Sequence, residues 1–337
     1  MANMKAVQVA QAHGAFEMVE RPIPEPGPNQ VRVRVEACGI CHSDLLAKEG
    51  FWPGITYPRV PGHEVAGNVD KAGSEVAKWK PGDRVGVGWH AGHCFVCESC
   101  RTGDFINCER GQITGLTLDG GYAEFLVVPQ EALARIPGGL SAVDAAPLLC
   151  AGITTFNALR NSGARPGDLV AVQGVGGLGH LAIQFSSRMG FRTVAISSGK
   201  DKEALARKLG AHAYIDAGSA DPAEELRKMR GAHVVFCTAP SGKAIAPLID
   251  GLKQRGKMVI VAAANDPVPL VPTHLLSGRS IAGWPAGTSK DSEDAMSFSV
   301  LTGVRPMIET FPLERAAEAY AHMLSNKARF RVVLAVA

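Results

Sequence analysis

Between residue 141 and about residue 283 the chain repeats one pattern. A short apolar run that suits a strand covered on both faces is followed by a stretch of helical spacing. The apolar runs are residues 169–173, 193–196, 233–237 and 258–262, and residues 178–189 and 202–209 are the clearest helical stretches. Parallel strands need a crossover of a dozen or so residues, which a helix supplies, so this region predicts a doubly wound parallel sheet. Inside it, Gln173-Gly174-Val175-Gly176-Gly177-Leu178-Gly179 places G-x-G-x-x-G directly after a strand and directly before a helix. In that setting the glycines allow a tight turn and close approach of a pyrophosphate, and the first N–H groups of the helix face the phosphates. With 38 glycines in the chain the motif alone is weak; its place between strand and helix makes it a dinucleotide-binding signal.

The first 140 residues read differently. Val31, Val33 and Val35 alternate with Arg32, Arg34 and Glu36, the period of a half-buried strand, and short strand patterns follow at 65–69, 84–87 and 122–128. Four prolines in residues 21–29 exclude helix and central strand there. The last residues, 330–336, are strand-like again and are expected to return to the first domain. The predicted organisation is therefore a β-rich domain of residues 1–148 and 286–337, with an inserted dinucleotide-binding domain of residues 149–285.

The length of 337 residues, with 46% hydrophobic and 20% charged residues, suits a folded two-domain protein. A formal charge of +3 without long basic runs gives no reason to expect nucleic acid as a partner. No stretch approaches the roughly 18 apolar residues of a membrane span, and residues 1–9 enter a strand pattern without a signal-peptide core, which predicts a cytoplasmic protein with no membrane partner.

Cys94-x2-Cys97-x2-Cys100-x7-Cys108 supplies four thiolates from one loop, the donor set of a closed structural zinc site. An iron–sulfur cluster uses a similar run, but there the fourth cysteine follows after three residues and precedes a proline, whereas here the gap is seven and Glu109 follows. A second constellation is dispersed: Cys41-His42-Ser43-Asp44, then Gly62-His63-Glu64, then Cys150 after Pro147-Leu148-Leu149.

These strings, the cysteine loop and the glycine loop occur in the order seen in zinc-dependent medium-chain alcohol dehydrogenases, and the chain resembles that family over essentially its whole length, in particular the bacterial enzymes and the cinnamyl alcohol dehydrogenase branch. The resemblance implies an α/β fold with a GroES-like catalytic domain and an inserted Rossmann domain, an active site in the cleft between them, and two zinc ions per chain. By position, Cys41, His63 and Cys150 would be the catalytic zinc ligands, Glu64 would stand behind the metal, Asp44 would orient His63, and Ser43 would take the alcohol proton. His42, Thr154, Thr155 and Arg331 match cofactor-contacting positions, Arg331 that of a pyrophosphate-binding arginine. Trp52, Trp89 and Trp284 match regions lining the substrate cleft and would favour apolar or aromatic alcohols. The implied partners are a small alcohol or aldehyde and further copies of the chain, as dimer or tetramer. The donor chemistry agrees: two thiolates and an imidazole leave one position open for substrate oxygen.

Two departures stand out. Where many members carry a relay histidine five residues after the first ligand cysteine, this chain has Leu46, so the relay ends on water, the nicotinamide ribose or another base. At the end of the second strand the sequence reads Ile196-Ser197-Ser198-Gly199-Lys200, with no carboxylate before Asp201 to hold the adenosine ribose. Hydroxyls with Lys200, and Arg192 nearby, favour NADP(H); Ser197 hydrogen-bonded to the ribose of NAD(H) is the other reading of the same residues. Cys38 forms C-x-x-C with Cys41 and reads as a redox pair or, better, as a spare strand cysteine, and Cys237 reads as core. A zinc-free quinone or enoyl reductase on the same fold would lack the retained Cys41, His63 and Cys150. A zinc ribbon for nucleic acid or protein would call for a basic aromatic stripe.

Overall fold

The computed structural model describes residues 2–263 and 266–336. It divides into two compact units, residues 1–153 with 287–337, and residues 154–286.

In the first unit β1 (Asn3–Val9) and β2 (Phe16–Pro22) form an antiparallel pair. The long strand β3 (Gln30–Ile40) pairs with β4 (Val65–Ala72), which pairs with β5 (Arg84–Val87). Two short strands, β6 (His90–Gly92) and β7 (Gln112–Ile113), flank the four-cysteine loop. Then β8 (Phe125–Pro129) returns to β3, and β9 (Leu133–Arg135) lies beside β5. The alternation seen in the sequence is real: Val31, Val33 and Val35 are buried in one core with Val65, Val85, Leu126 and Val332.

The second unit has six parallel strands: β10 (Leu169–Gln173), β11 (Arg192–Ser197), β12 (Ala213–Asp216), β13 (Ala232–Cys237), β14 (Leu252–Ile260) and β15 (Ser280–Gly283). Their order across the sheet is β12-β11-β10-β13-β14-β15. It reverses direction at β10, so the turn after β10 opens at the switch point where such sheets hold ligands. The chain then re-enters the first unit through β16 (Ile308–Pro312) and β17 (Arg331–Ala335), and β17 pairs antiparallel with β3.

Several expectations are amended. The strand expected at 258–262 runs from Leu252 to Ile260, because exposed Lys253, Gln254 and Arg255 conceal its first half and a register shift against β13 breaks its period. The strand Phe16–Pro22 has half-exposed and exposed positions only, so no apolar run announces it. Near the division between the units at residues 153 and 154, Leu149 packs into the space left by Gly86 of β5, where a Cβ would lie 2.6 Å from Leu149 Cδ2. The helical run Ala142–Arg160 also corrects the expectation that nothing approaches a membrane span: by length and composition it qualifies, yet 78% of it is buried inside the protein, as a core helix is.

Phe236 is fully enclosed on β13, between β10 and β14. Phe236→Ala should cost about 3–5 kcal/mol through lost transfer energy and a cavity that its neighbours cannot fill, read as a lowered urea midpoint with an unchanged slope.

Candidate active site

Three segments of the first unit bring the dispersed residues together. Residues 42–44 form a single helical turn directly after β3, His63 and Glu64 lie on the strand-like approach to β4, and Cys150 lies in the wide π-type turn Leu148–Gly152 of the long helical run. Such a turn carries an extra residue and re-aims a side chain, a common device at functional sites. The donor atoms of Cys41, His63, Glu64 and Cys150 all lie within 4.8 Å of one another. Cys41 Sγ and Cys150 Sγ are 3.9 Å apart, close to the edge of about 3.8 Å expected for a tetrahedron with metal–sulfur bonds of about 2.3 Å.

His63 is 1% exposed, and its Nδ1 is 3.1 Å from Asp44 Oδ1, while its Nε2 is buried with no partner. A carboxylate on one nitrogen and nothing on the other is the pattern of a metal-ligating imidazole. Asp44 Oδ2 in turn accepts from the Cys41 N–H at 2.9 Å and from Tyr122 Oη at 2.9 Å. Behind these donors Glu64, fully buried, is paired with Arg331, whose Nη2 also donates to the Ile40 carbonyl at 3.2 Å. Burial pushes the Glu64 carboxyl up to about 7 although Arg331 opposes it. The hydrogen bond between the Cys150 and Cys41 sulfurs, together with nearby His63, holds Cys41 well below the usual thiol range against the cost of burial. Two sulfurs sharing a proton beside an unpartnered imidazole nitrogen form a donor set that fits a borderline-soft divalent cation.

The second cluster is self-contained. Cys94 and Cys100 Sγ are 4.0 Å apart, Cys97 and Cys108 Sγ 3.9 Å, and all four sulfurs fall within 4.8 Å. Backbone N–H groups aim at the sulfurs: Cys97 N lies 3.4 Å from Cys94 Sγ, Cys94 N 3.3 Å and Arg110 N 3.4 Å from Cys108 Sγ. The N–H groups of Val96 and Cys97 draw the Cys94 thiol down to about 6. This favours thiolate before any ion arrives.

In the second unit the turn after β10 opens the helix Gly179–Arg188. A Cβ at Gly179 would stand 1.9 Å from the Gly174 carbonyl, so the motif's last glycine is fixed by contact, whereas Gly176 has open space beside it. A cavity of about 410 Å³ adjoins this turn, lined among others by Gly174, Ile196, Ser197, Ser198 and Ala217. Ser197 closes β11, and Ser198 and Lys200 are exposed beyond it.

Residues 27–138 match the model of the alcohol dehydrogenase GroES-like domain, and residues 177–300 that of the zinc-binding dehydrogenase domain. The chain is 46% identical to the alcohol dehydrogenase notN of Aspergillus sp. (strain MF297-2) over 317 residues, covering 94% of this chain and 93% of that protein. It is 40% identical to an alcohol dehydrogenase of Geobacillus stearothermophilus over 337 residues, 98% of each. Among solved structures it resembles a cinnamyl alcohol dehydrogenase of Sorghum bicolor with a TM-score of 0.89 at 33% identity, covering 99% of this chain and 98% of that one. The chain belongs to the zinc-type medium-chain alcohol dehydrogenase family. It is an alcohol oxidoreductase, and its substrates are small alcohols or their carbonyl counterparts.

For a member of this family the remaining sequence-marked residues fall as follows. Ser43 is half-buried and His42 exposed on the turn that follows Cys41, with Leu46 half-buried one turn on. Trp89 meets the His63 ring edge-on at 5.0 Å, and Trp52 meets Trp89 at 6.0 Å. Trp284 lies just after β15 in the second unit, its Nε1 buried without a partner. Thr155 is fully enclosed, so of the two threonines only Thr154, 8% exposed, has surface to offer a cofactor. Arg192 opens β11 while Ser197 closes it, a separation of about 16 Å along a strand, so Arg192 is not near the turn 197–200 as expected. Cys38 is buried on β3 and pairs with no other cysteine, and Cys237 is buried on β13.

Sequence reasoning missed Tyr122 beneath Asp44, the Glu64–Arg331 pair, and Asp216, whose Oδ1 accepts from the Gly199 N–H at 2.7 Å. A carboxylate therefore does reach the turn 197–200, from the neighbouring strand.

Gly39 shows how tightly the site is built, since a Cβ there would lie 1.9 Å from Glu64 Oε2. Gly39→Ala should displace Glu64 from Arg331 and destabilise the protein by about 3–5 kcal/mol, measured by denaturant titration. Cys97→Ser acts elsewhere: it should lower bound zinc by one per chain and reduce Tm, with activity falling only as the fold does. Metal analysis beside a thermal scan checks it.

Proposed function

We propose that the chain is a two-zinc, cytoplasmic, NAD(P)-dependent alcohol dehydrogenase or aldehyde reductase. In this reading the first unit carries both metal sites and the second holds the cofactor. Cys41, His63 and Cys150 would hold the catalytic zinc, and Cys94, Cys97, Cys100 and Cys108 the structural one. The observation that carries the reading is His63, whose Nδ1 is fixed by Asp44 and whose buried Nε2 is left for a ligand beside two thiols. When bound, zinc lowers the pKa of an alcohol or polarises a carbonyl, and the nicotinamide accepts or gives the hydride.

The chain's own residues do the rest. Asp44 holds His63 in one tautomer and ring orientation, so the nitrogen facing the donor cluster is always Nε2. Glu64, neutralised by Arg331, backs the donors without presenting an unpaired charge. Ser43 takes the hydroxyl proton of the substrate, and since Leu46 offers no base, that proton passes on to water or to the cofactor ribose. Trp89 and Trp52 present aromatic surface next to His63, which suits apolar or aromatic alcohols.

The glycine turn of Gly174, Gly176, Gly177, Leu178 and Gly179 would take the pyrophosphate, and His42, Thr154 and Arg331 are the other candidate cofactor contacts of their own units. Ser197, Ser198 and Lys200 would face the adenosine ribose, with two hydroxyls and a cation favouring NADP(H). Eight free cysteines suit a reducing compartment. The edge strand β15, with Ser280, Ala282 and Gly283 exposed and Leu276 82% exposed nearby, supports association of copies as dimer or tetramer.

The test is an assay of alcohols and aldehydes with both cofactors, paired with metal analysis. The wild type should carry two zincs and reduce or oxidise apolar substrates. Cys150→Ser should stay folded, lose one zinc and lose turnover by at least about a thousand-fold, as removal of a Lewis acid requires. A Cys150→Ser protein with two zincs and full activity would overturn the ligand assignment.

A further inference from the structure

The turn 197–200 contains no acid of its own, yet β12 delivers one to it. In the parallel pairing of β11 with β12, Asp216 stands opposite Ser197. Its Oδ1 accepts from the N–H of Gly199 at 2.7 Å and of Gly218 at 2.9 Å. Its neighbour Ala217 donates to the Ser197 carbonyl at 3.0 Å and lines the same cavity as Ser197 and Ser198. Tyr214, two residues earlier, donates to the Gly199 carbonyl at 2.5 Å. The carboxylate is thus fixed against the turn by backbone on both sides. The N–H groups of Gly218 and Gly199 hold its pKa below the ordinary range, and Lys200 acts on it as the nearby cation.

A brace alone would need only a neutral acceptor, and asparagine offers one of the same shape. The charge adds something a brace does not need. It opposes a second anion at the turn, it occupies the Gly199 N–H that a phosphate oxygen could accept from, and it competes for Lys200. We propose that Asp216 is the residue that sets the balance between NADP(H) and NAD(H), restraining affinity for a 2′-phosphate while leaving binding of the plain ribose untouched. The proposal rests on reading the cavity after β10 as the adenosine site. Asp201 is the other carboxylate at this turn, its Oδ1 2.7 Å from where a Gly199 Cβ would lie, and it accepts from none of the turn's N–H groups, so its removal serves as the comparison.

The experiment measures binding of NADPH and NADH by the fluorescence change of the reduced nicotinamide, without substrate, on the zinc-loaded protein and on Asp216→Asn, Asp216→Ser and Asp201→Asn. Asp216→Asn should tighten NADPH about three- to ten-fold and leave NADH within two-fold, a range set by one half-buried charge at salt-screened distance. Asp216→Ser, which also removes the charge but keeps a short acceptor, should shift the ratio the same way. If both Asp216 variants leave the ratio unchanged, or Asp201→Asn shifts it as much, the assignment to Asp216 is wrong. A wild type that binds neither cofactor would instead overturn the adenosine-site reading.

Discussion

The carboxylate of Asp44 is the contact on which the site depends. It is 2% exposed and gathers the Cys41 N–H, the His63 ring and the Tyr122 hydroxyl, three groups from three separate segments. Hydrogen bonds to a buried charge contribute about 1.5–3 kcal/mol each, so removing the acceptor would strand three polar groups at once. Tyr122 is itself clasped by backbone: its N–H reaches the Pro61 carbonyl at 3.1 Å, and its carbonyl receives the Val7 N–H at 2.7 Å. The orientation of one imidazole is thereby tied to β1, to the approach to β4 and to the segment before β8. The His63 ring is held by the first unit's core.

A second layer lies behind that carboxylate. A buried ion pair such as Glu64–Arg331 gains little net stability, because the desolvation of both charges offsets their attraction. What it does here is local. Arg331 opens β17, which pairs with the end of β3, and its guanidinium spans Glu64 and the Ile40 carbonyl just ahead of Cys41. The strand β17 is thereby bound to the residues that precede Cys41. The cost appears at Gly39, where the carboxylate occupies the space of any larger side chain.

What could be read from the sequence was whatever is local. The four-cysteine loop and the glycine turn are spacings within a few residues, and both fold as their spacings require. Period-2 burial showed β3, and continuous apolar runs showed β10, β11 and β13, because their neighbours cover both faces. Asp216 escaped because it acts across a strand pairing, and a pairing register leaves no mark in one sequence; Tyr122 and the partner of Arg331 escaped because their side-chain contacts join segments 78 and 267 residues apart. Arg192 misled for the opposite reason: five residues look close in a sequence and span a whole strand in a sheet. The half-polar start of β14 hid for want of an apolar run.

The two sulfur-rich clusters differ in what the chain must do to form them. The tetrad closes a loop whose ends, Cys94 and Cys108, are 14 residues apart, whereas Cys41 and Cys150 are separated by 109. On loop-closure entropy alone the longer span costs about 2 kcal/mol more, and that cost is met only when β3, the approach to β4 and the long helical run have all docked. The tetrad needs none of them, since its N–H···S bonds come from its own loop. A closed site built from local chain suits a structural staple. The dispersed cluster, with its buried imidazole nitrogen, draws its donors from three segments that meet only through tertiary packing, and all of them converge on the buried carboxylate of Asp44.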